Sequence, residues 1–193
     1  VLPSRCRSDA PRSGGEVLVL NVGPSSVKFA LFPLAGELSP RWRGRIAPLG
    51  LAETALTTSR PGEPIPAPTS LGKLDHEGAL HEVIDRAAEM LTNSGLAAVG
   101  HRVVHGGPDL SGPVLLDQET LGRLHAMDRY DPAHQAIELH YIESVARRWP
   151  DLPQVASFDT TFHRTMPEVA QRLPVTRLDA ARGVRRYGFH GLS

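Results

Sequence analysis

The chain has 193 residues, 40% of them apolar, which is enough to build one large domain or two small ones. Its 21 Lys and Arg balance its 21 Asp and Glu, so no overall positive field exists to hold nucleic acid or an anionic membrane. The lone cysteine, Cys6, excludes an internal disulfide framework and a Cys-based zinc site and fits a reducing, cytoplasmic setting, and no apolar run reaches the roughly 18–20 residues of a membrane span.

The opening "VLPSRCRSDAPRSGGE" carries arginines but no apolar stretch of the kind a secretory signal needs, so residues 1–15 read as a disordered extension. Two apolar runs follow, 17–22 and 26–33, joined at Gly23-Pro24-Ser25 as a β-hairpin. "RWRGRIAPL", 41–49, is a candidate third strand, and the Pro-rich 59–72 reads as an exposed loop. Over 75–91, Leu80, Val83, Ile84, Ala87, Ala88 and Leu91 recur at the 3–4 spacing of a helix face, with Asn93 and Gly95 as its stop. "LAAVGHRVVHGG", 96–107, reads as a buried strand entering a glycine loop. Helices are expected over 117–127 and 132–148, the second opened by Asp131 as cap and Pro132 in its first turn. A last buried strand within 153–163 runs into Asp159. Strands alternating with helices, behind a leading hairpin, define an α/β domain with a mixed sheet.

Three polar sets fall at the ends of apolar runs, where α/β proteins place their ligands. The first is Asn21, Ser25, Ser26 and Lys28: either an ordinary hairpin with a surface lysine, or a concavity whose N–H and hydroxyl donors suit phosphate oxygens. The second is Arg102, placed either to grip a carboxylate or phosphate in bidentate fashion or to pair with a neighbouring acid. His101 and His105 share a strand face, but no third ligand clusters with them to make a metal site. The third set is Asp159 and His190: the acid can cap a helix or serve a cation, and the histidine can be packed or presented at a loop. His134 sits on the first turn of a helix.

In order and spacing, "VLVLNVGPSSVKFALF", "GHRVVHGG", "FDTTFHRTMP" and "RRYGFHGLS" resemble the signature segments of acetate kinases, the acetokinase branch of the actin, Hsp70 and sugar-kinase superfamily. The resemblance runs from Val17 to Ser193. It implies the N-terminal lobe of a ribonuclease-H-like (actin-like ATPase) α/β fold over 16–193, with a five-stranded mixed sheet and helices on both faces. It implies transfer of the γ-phosphoryl of ATP to acetate, reversibly, giving acetyl phosphate and ADP with Mg²⁺ or Mn²⁺. On this likeness Asn21 matches a metal-site asparagine and Lys28 an ATP-contacting lysine, with Ser25 and Ser26 beside the phosphates. Arg102 matches the arginine that holds the carboxylate, Asp159 the residue usually given as catalytic, His134 a histidine near the moving phosphoryl, and His190 a transition-state stabiliser. Val104, Ala133 and Phe189 are expected as walls for the acetate methyl. The likeness also implies a second lobe carrying the adenosine loops, and a homodimer formed through it. Two departures stand out. Pro24 removes a backbone donor from the turn, and Ala133 is smaller than the family's usual residue, which leaves room for propionate. A non-catalytic remnant or binding module of the same fold is the alternative reading.

The chemistry narrows the roles further. A carboxylate acceptor, with a pKa of roughly 4–5, is already ionised at neutral pH and needs no general base. Asp159 is therefore expected to organise Mg²⁺ and its waters, while Arg102, His134, His190 and Lys28 offset the repulsion between acceptor anion and polyphosphate.

Overall fold

The computed structural model describes residues 15–91, 95–182 and 184–192. The expected extension over 1–15 (apart from Gly15), the helix stop at Asn93 and the terminal Ser193 lie outside them.

The strands are β1 (Glu16–Gly23), β2 (Ser26–Pro33), β3 (Trp42–Ala47), β4 (Thr54–Ser59), β5 (Thr69–Gly72), β6 (Leu96–Val103), β7 (Val114–Leu115) and β8 (Gln154–Phe158). They form one sheet in the order β5-β4-β3-β2-β1-β6-β8-β7. β1 pairs parallel with β6 and β6 parallel with β8, while the other neighbours are antiparallel. The sheet is mixed, as expected, but it has eight strands rather than five. The extra three lie at its margins. β4 forms in a stretch given no element and β5 out of the end of the stretch expected to be loop, extending one edge, and the two-residue β7 closes the other. Thr-rich β4 has the β-branched character of a strand but little of the apolar alternation that would reveal it.

Among the described residues three helices have eight residues or more: α1 (His76–Met90), α2 (Gln118–His125) and α3 (Gln135–Arg148). The first two begin where an aspartate caps an orphan amide: Asp75 Oδ1 accepts from Gly78 N at 2.9 Å and Asp117 Oδ1 from Thr120 N at 2.8 Å. α3 starts later than expected, because a 3₁₀ turn (Asp128–Tyr130) and a further turn of chain precede it. Short helices α4 (Asp159–Phe162), α5 (Glu168–Gln171) and α6 (Arg177–Ala181) carry the chain to its end.

Along β1 the buried positions alternate, so Leu18, Leu20 and Val22 point one way and Val17, Val19 and Asn21 the other. The first set joins Leu31, Ile46, Leu80, Val83, Ile84, Tyr141 and Val145 in one core. A second core, between α2, α3 and the β6–β8 side, holds Val103, Leu121, Leu124, Leu139, Ile142 and Phe158. α1, α2 and α3 thus cover the same face of the sheet. The opposite face carries half-buried Val19, Ala30 and Phe32 beside exposed Arg43 and Arg45, and these line a separate 460 Å³ cavity. No helix among the described residues is long and apolar enough to cross a membrane.

Candidate active site

β1, β6 and β8 run parallel, so their carboxyl ends meet at one edge, the position where open α/β sheets bind ligands. In register, Leu20 lies beside His101, which sets Asn21 next to Arg102; Asn21 in turn faces Lys28 across the hairpin. β8 ends at Phe158, so Asp159 emerges one step beyond it. A 430 Å³ cavity at this edge is lined by Asn21, Gly23, Pro24, Ser26, Lys28, Arg102, Val104, Asp131, His134, Asp159, Phe189 and His190. Nine of the residues singled out in the sequence therefore line one space.

Two do not. Ser25 is exposed at the outer side of the turn, where its carbonyl accepts from Leu49 N at 2.9 Å. Ala133 is exposed and off the cavity wall. It immediately precedes His134, and adjacent residues on a helical turn do not share a face.

Arg102 organises the centre, with its side chain only 11% exposed. Its Nε donates to Asp159 Oδ1 at 3.1 Å, Nη2 donates to Asp159 Oδ2, and Nη1 lies 3.4 Å from Asn21 Oδ1. Of the two alternatives open in the sequence, pairing with a neighbouring acid is the one seen, and the residue also lines the cavity. Asp159 is fully buried. Besides the arginine fork it accepts from the backbone N–H of His190 at 3.0 Å, through Oδ2, and of Leu192 at 3.1 Å, through Oδ1. Asp159 therefore ties the terminal loop to the strand end.

That loop is held tightly. His190 adopts φ +57°, the left-handed region that non-glycine residues rarely occupy. A Cβ on Gly191 would come within 2.5 Å of Asp159 O and 2.3 Å of Phe162 Cβ, so only glycine fits this approach. Behind the cavity, His105 packs among Tyr187, Tyr130 and Phe189, with ring centroids 4.5, 5.7 and 5.8 Å away. Its Nδ1 accepts from Gly107 N at 2.8 Å, and burial holds its pKa below the usual histidine range. His101 faces the helices and donates from Nε2 to Gln154 Oε1 at 2.7 Å; burial pushes its pKa down to about 4. The two histidines serve packing on separate partners. His134 Nδ1 donates to Asp131 Oδ1 at 2.9 Å, which fixes the ring at the cavity mouth.

Glu138 was not among the residues singled out in the sequence. It is 2% exposed, on the inner side of α3, and its Oε2 accepts from Val104 N at 2.9 Å. Oε1 lies 3.8 Å from Arg102 Nη1 and makes no hydrogen bond among the described residues. Burial pushes its pKa up to about 7, against the opposing pull of the Val104 amide and Arg102. Its one sequence signal is position: an acid on the buried stripe of Gln135, Leu139 and Ile142.

These oxygens do not make a resident metal site. Among the described residues no three His, Cys, Asp or Glu side chains are grouped to hold a metal. Both Asp159 oxygens are engaged, and the Asn21 oxygen faces a guanidinium. In this arrangement the two Asp159 oxygens hold Arg102 and the terminal loop.

The mixed sheet, with its polar set at the parallel strand ends, defines a lobe of the ribonuclease-H-like, actin-like ATPase class. Residues 16–193 match the acetokinase family, and the chain belongs to that family. It is 41% identical over 187 residues to an acetate kinase of Rhodopseudomonas palustris and 43% identical over 178 residues to one of Deinococcus radiodurans. These matches cover 92% and 91% of this chain but 45% and 44% of the relatives, so the chain spans about half their length. Among solved structures, a propionate kinase from Francisella tularensis subsp. tularensis superposes with a TM-score of 0.76 at 30% identity, covering 92% of this chain and 45% of that one. Porphyromonas gingivalis acetate kinase superposes at 0.74 with 31% identity and the same coverage.

Proposed function

We propose that this chain is the carboxylate-binding half of an acetate kinase, which transfers the γ-phosphoryl of ATP to acetate and runs in reverse from acetyl phosphate and ADP. The observation that carries this reading is the meeting of Asn21, Lys28, Arg102, His134 and His190 in one cavity at the parallel strand ends.

The geometry supports an electrostatic mechanism. Acetate arrives ionised, so the site has no proton to remove. The difficulty is bringing an anion in line with a polyphosphate. Arg102 offers Nη1 to the carboxylate while Asp159 fixes the rest of the guanidinium. Val104 and Phe189 supply the apolar wall for the methyl group. His134 and His190 stand at the same cavity as donors for the equatorial oxygens of the moving phosphoryl. Lys28 is exposed on the strand next to Arg45 and forms no ion pair among the described residues, so its charge is available to the β- and γ-phosphates. Ser26 lines the same wall. Magnesium or manganese belongs to the nucleotide substrate here and enters with its phosphates.

The test is hydroxamate trapping of acetyl phosphate by the 193-residue chain, alone and mixed with the C-terminal half of an acetate kinase. Product that requires ATP, acetate and both halves, and that disappears with Arg102→Ala, supports the reading. Absence of product from the mixture counts against it, and favours a non-catalytic module of the same fold. A propionate or short-chain acyl kinase is the second reading, favoured by the likeness to the Francisella protein. Equal product from propionate and acetate would select it.

A further inference from the structure

Arg102 does not stand between the substrate and one acid; it is surrounded by them. Asp159, from the end of β8, takes Nε and Nη2. Glu138, from α3, sits behind Nη1. Asp131, in the turn before α3, lines the same cavity and holds His134. An incoming carboxylate or acyl phosphate adds another negative charge against the single guanidinium. Of the three acids Glu138 stands apart: it is buried, one oxygen holds a backbone amide, and the other has no hydrogen-bond donor among the described residues. Such an atom makes a poor resting place for charge, and a proton placed there satisfies it.

We propose that Glu138 is a positioning residue for the Arg102 anion site: it ties the Val104 wall to the flank of the guanidinium and takes up a proton when an anionic ligand binds Nη1. In the empty site the ionised carboxylate shares Arg102 with Asp159. When a ligand carboxylate approaches Nη1, the proton moves from solvent to Glu138 Oε1, and Nη1, which rests against Asn21 Oδ1 in the empty site, turns to the ligand. No bond other than O–H forms, and charge at the centre stays constant. The groups facing Glu138 are Arg102 from β6, Asp159 from β8, and Asp131 with His134 from the turn before its own helix. The leucines of α2 that pack against α3 are apolar. Burial already favours the protonated form, which makes the uptake accessible near neutral pH.

The inference rests on the acetate-kinase reading only for the identity of the anion. Its test uses the ¹⁵N-labelled 193-residue chain, followed by NMR at the Val104 amide and the Arg102 Nε–H from pH 5 to 9. In wild type both signals move together with one midpoint near 7, and added sodium acetate shifts that midpoint upward. Acetate then binds about tenfold more weakly at pH 8 than at pH 6, as linkage to one proton requires. In Glu138→Gln, which keeps an acceptor for Val104 N–H, the shared midpoint vanishes and acetate affinity becomes flat with pH. Flat Val104 and Arg102 signals in wild type, or an unchanged titration in the variant, overturn the proposal. A shared midpoint with no response of Arg102 to acetate at any pH supports the positioning role and contradicts the acetate site.

Discussion

Asp159 grips Arg102 with both carboxylate oxygens, and with the same two oxygens it holds the backbone of His190 and Leu192. One buried side chain thus joins the end of β8, the guanidinium of β6 and the terminal loop. Removing its charge leaves Arg102 buried without its partner, a change that typically costs about 3–5 kcal/mol. Asp159→Asn is expected to lower stability by about that amount in urea unfolding. The amides of His190 and Leu192 should also lose hydrogen-exchange protection before the rest of the chain. Unchanged protection at those two amides would contradict the link.

Two buried groups bend the pH dependence of stability in opposite directions. Glu138 has its pKa raised from 4.5 to about 7, so the fold keeps a proton that the unfolded chain has lost, and stability falls as pH rises through that window. The full effect is on the order of 3 kcal/mol. His101 has its pKa lowered from 6.5 to about 4, so the unfolded chain binds a proton that the fold refuses, and stability falls as pH drops through that window. In the overlap the two slopes offset each other. Urea midpoints of the wild type should therefore change little between pH 5 and 6. In Glu138→Gln only the histidine slope remains, and midpoints should rise steadily from pH 4 to 6.5. Matching profiles for the two proteins would show that Glu138 does not titrate as described.

Arg102→Ala removes the donor that faces the cavity. Loss of one such donor typically costs about 10²–10³ in rate. In an enzyme reassembled from two halves, the expected result is a raised KM for acetate with a lower kcat. Arg102→Lys should not rescue it, because a single ammonium cannot reproduce the fork on Asp159 while also reaching the ligand.

Gly191→Ala tests the loop itself. The new Cβ would meet Asp159 O at 2.5 Å, a backbone atom that cannot rotate away. The loop must shift, and His190 with it. Phosphoryl transfer in the reassembled enzyme is expected to fall by more than tenfold, while the urea midpoint changes little, since the strands and long helices lie elsewhere. A fully active variant would show that the position of His190 is immaterial.

Much of this site was legible in the sequence because its residues sit at the ends of strands. Once β1, β6 and β8 are parallel, polar residues closing each run must arrive at one edge, and Asn21, Arg102 and Asp159 do. The capped helices were legible for a similar reason: Asp75 and Asp117 each stand just before an apolar period. What escaped was set by tertiary context. β5 and β7 are short edge strands and β4 lies next to the edge, all held by pairing rather than by an apolar pattern. Ala133 does not line the cavity, although its neighbour His134 does. Glu138 was hidden inside an amphipathic helix, where nothing local tells an acid on the buried stripe from one on the rim.

On the proposed function, Arg102 turns Nη1 from Asn21 to a carboxylate inside the cavity it shares with His190. The most direct measurement is a crystal structure of this chain, reassembled with an acetate-kinase C-terminal half, with acetate bound. The account predicts the acetate carboxylate within hydrogen-bond reach of Arg102 Nη1 and its methyl against Val104 and Phe189. Acetate bound at another site, with Arg102 turned out of the cavity, would contradict it.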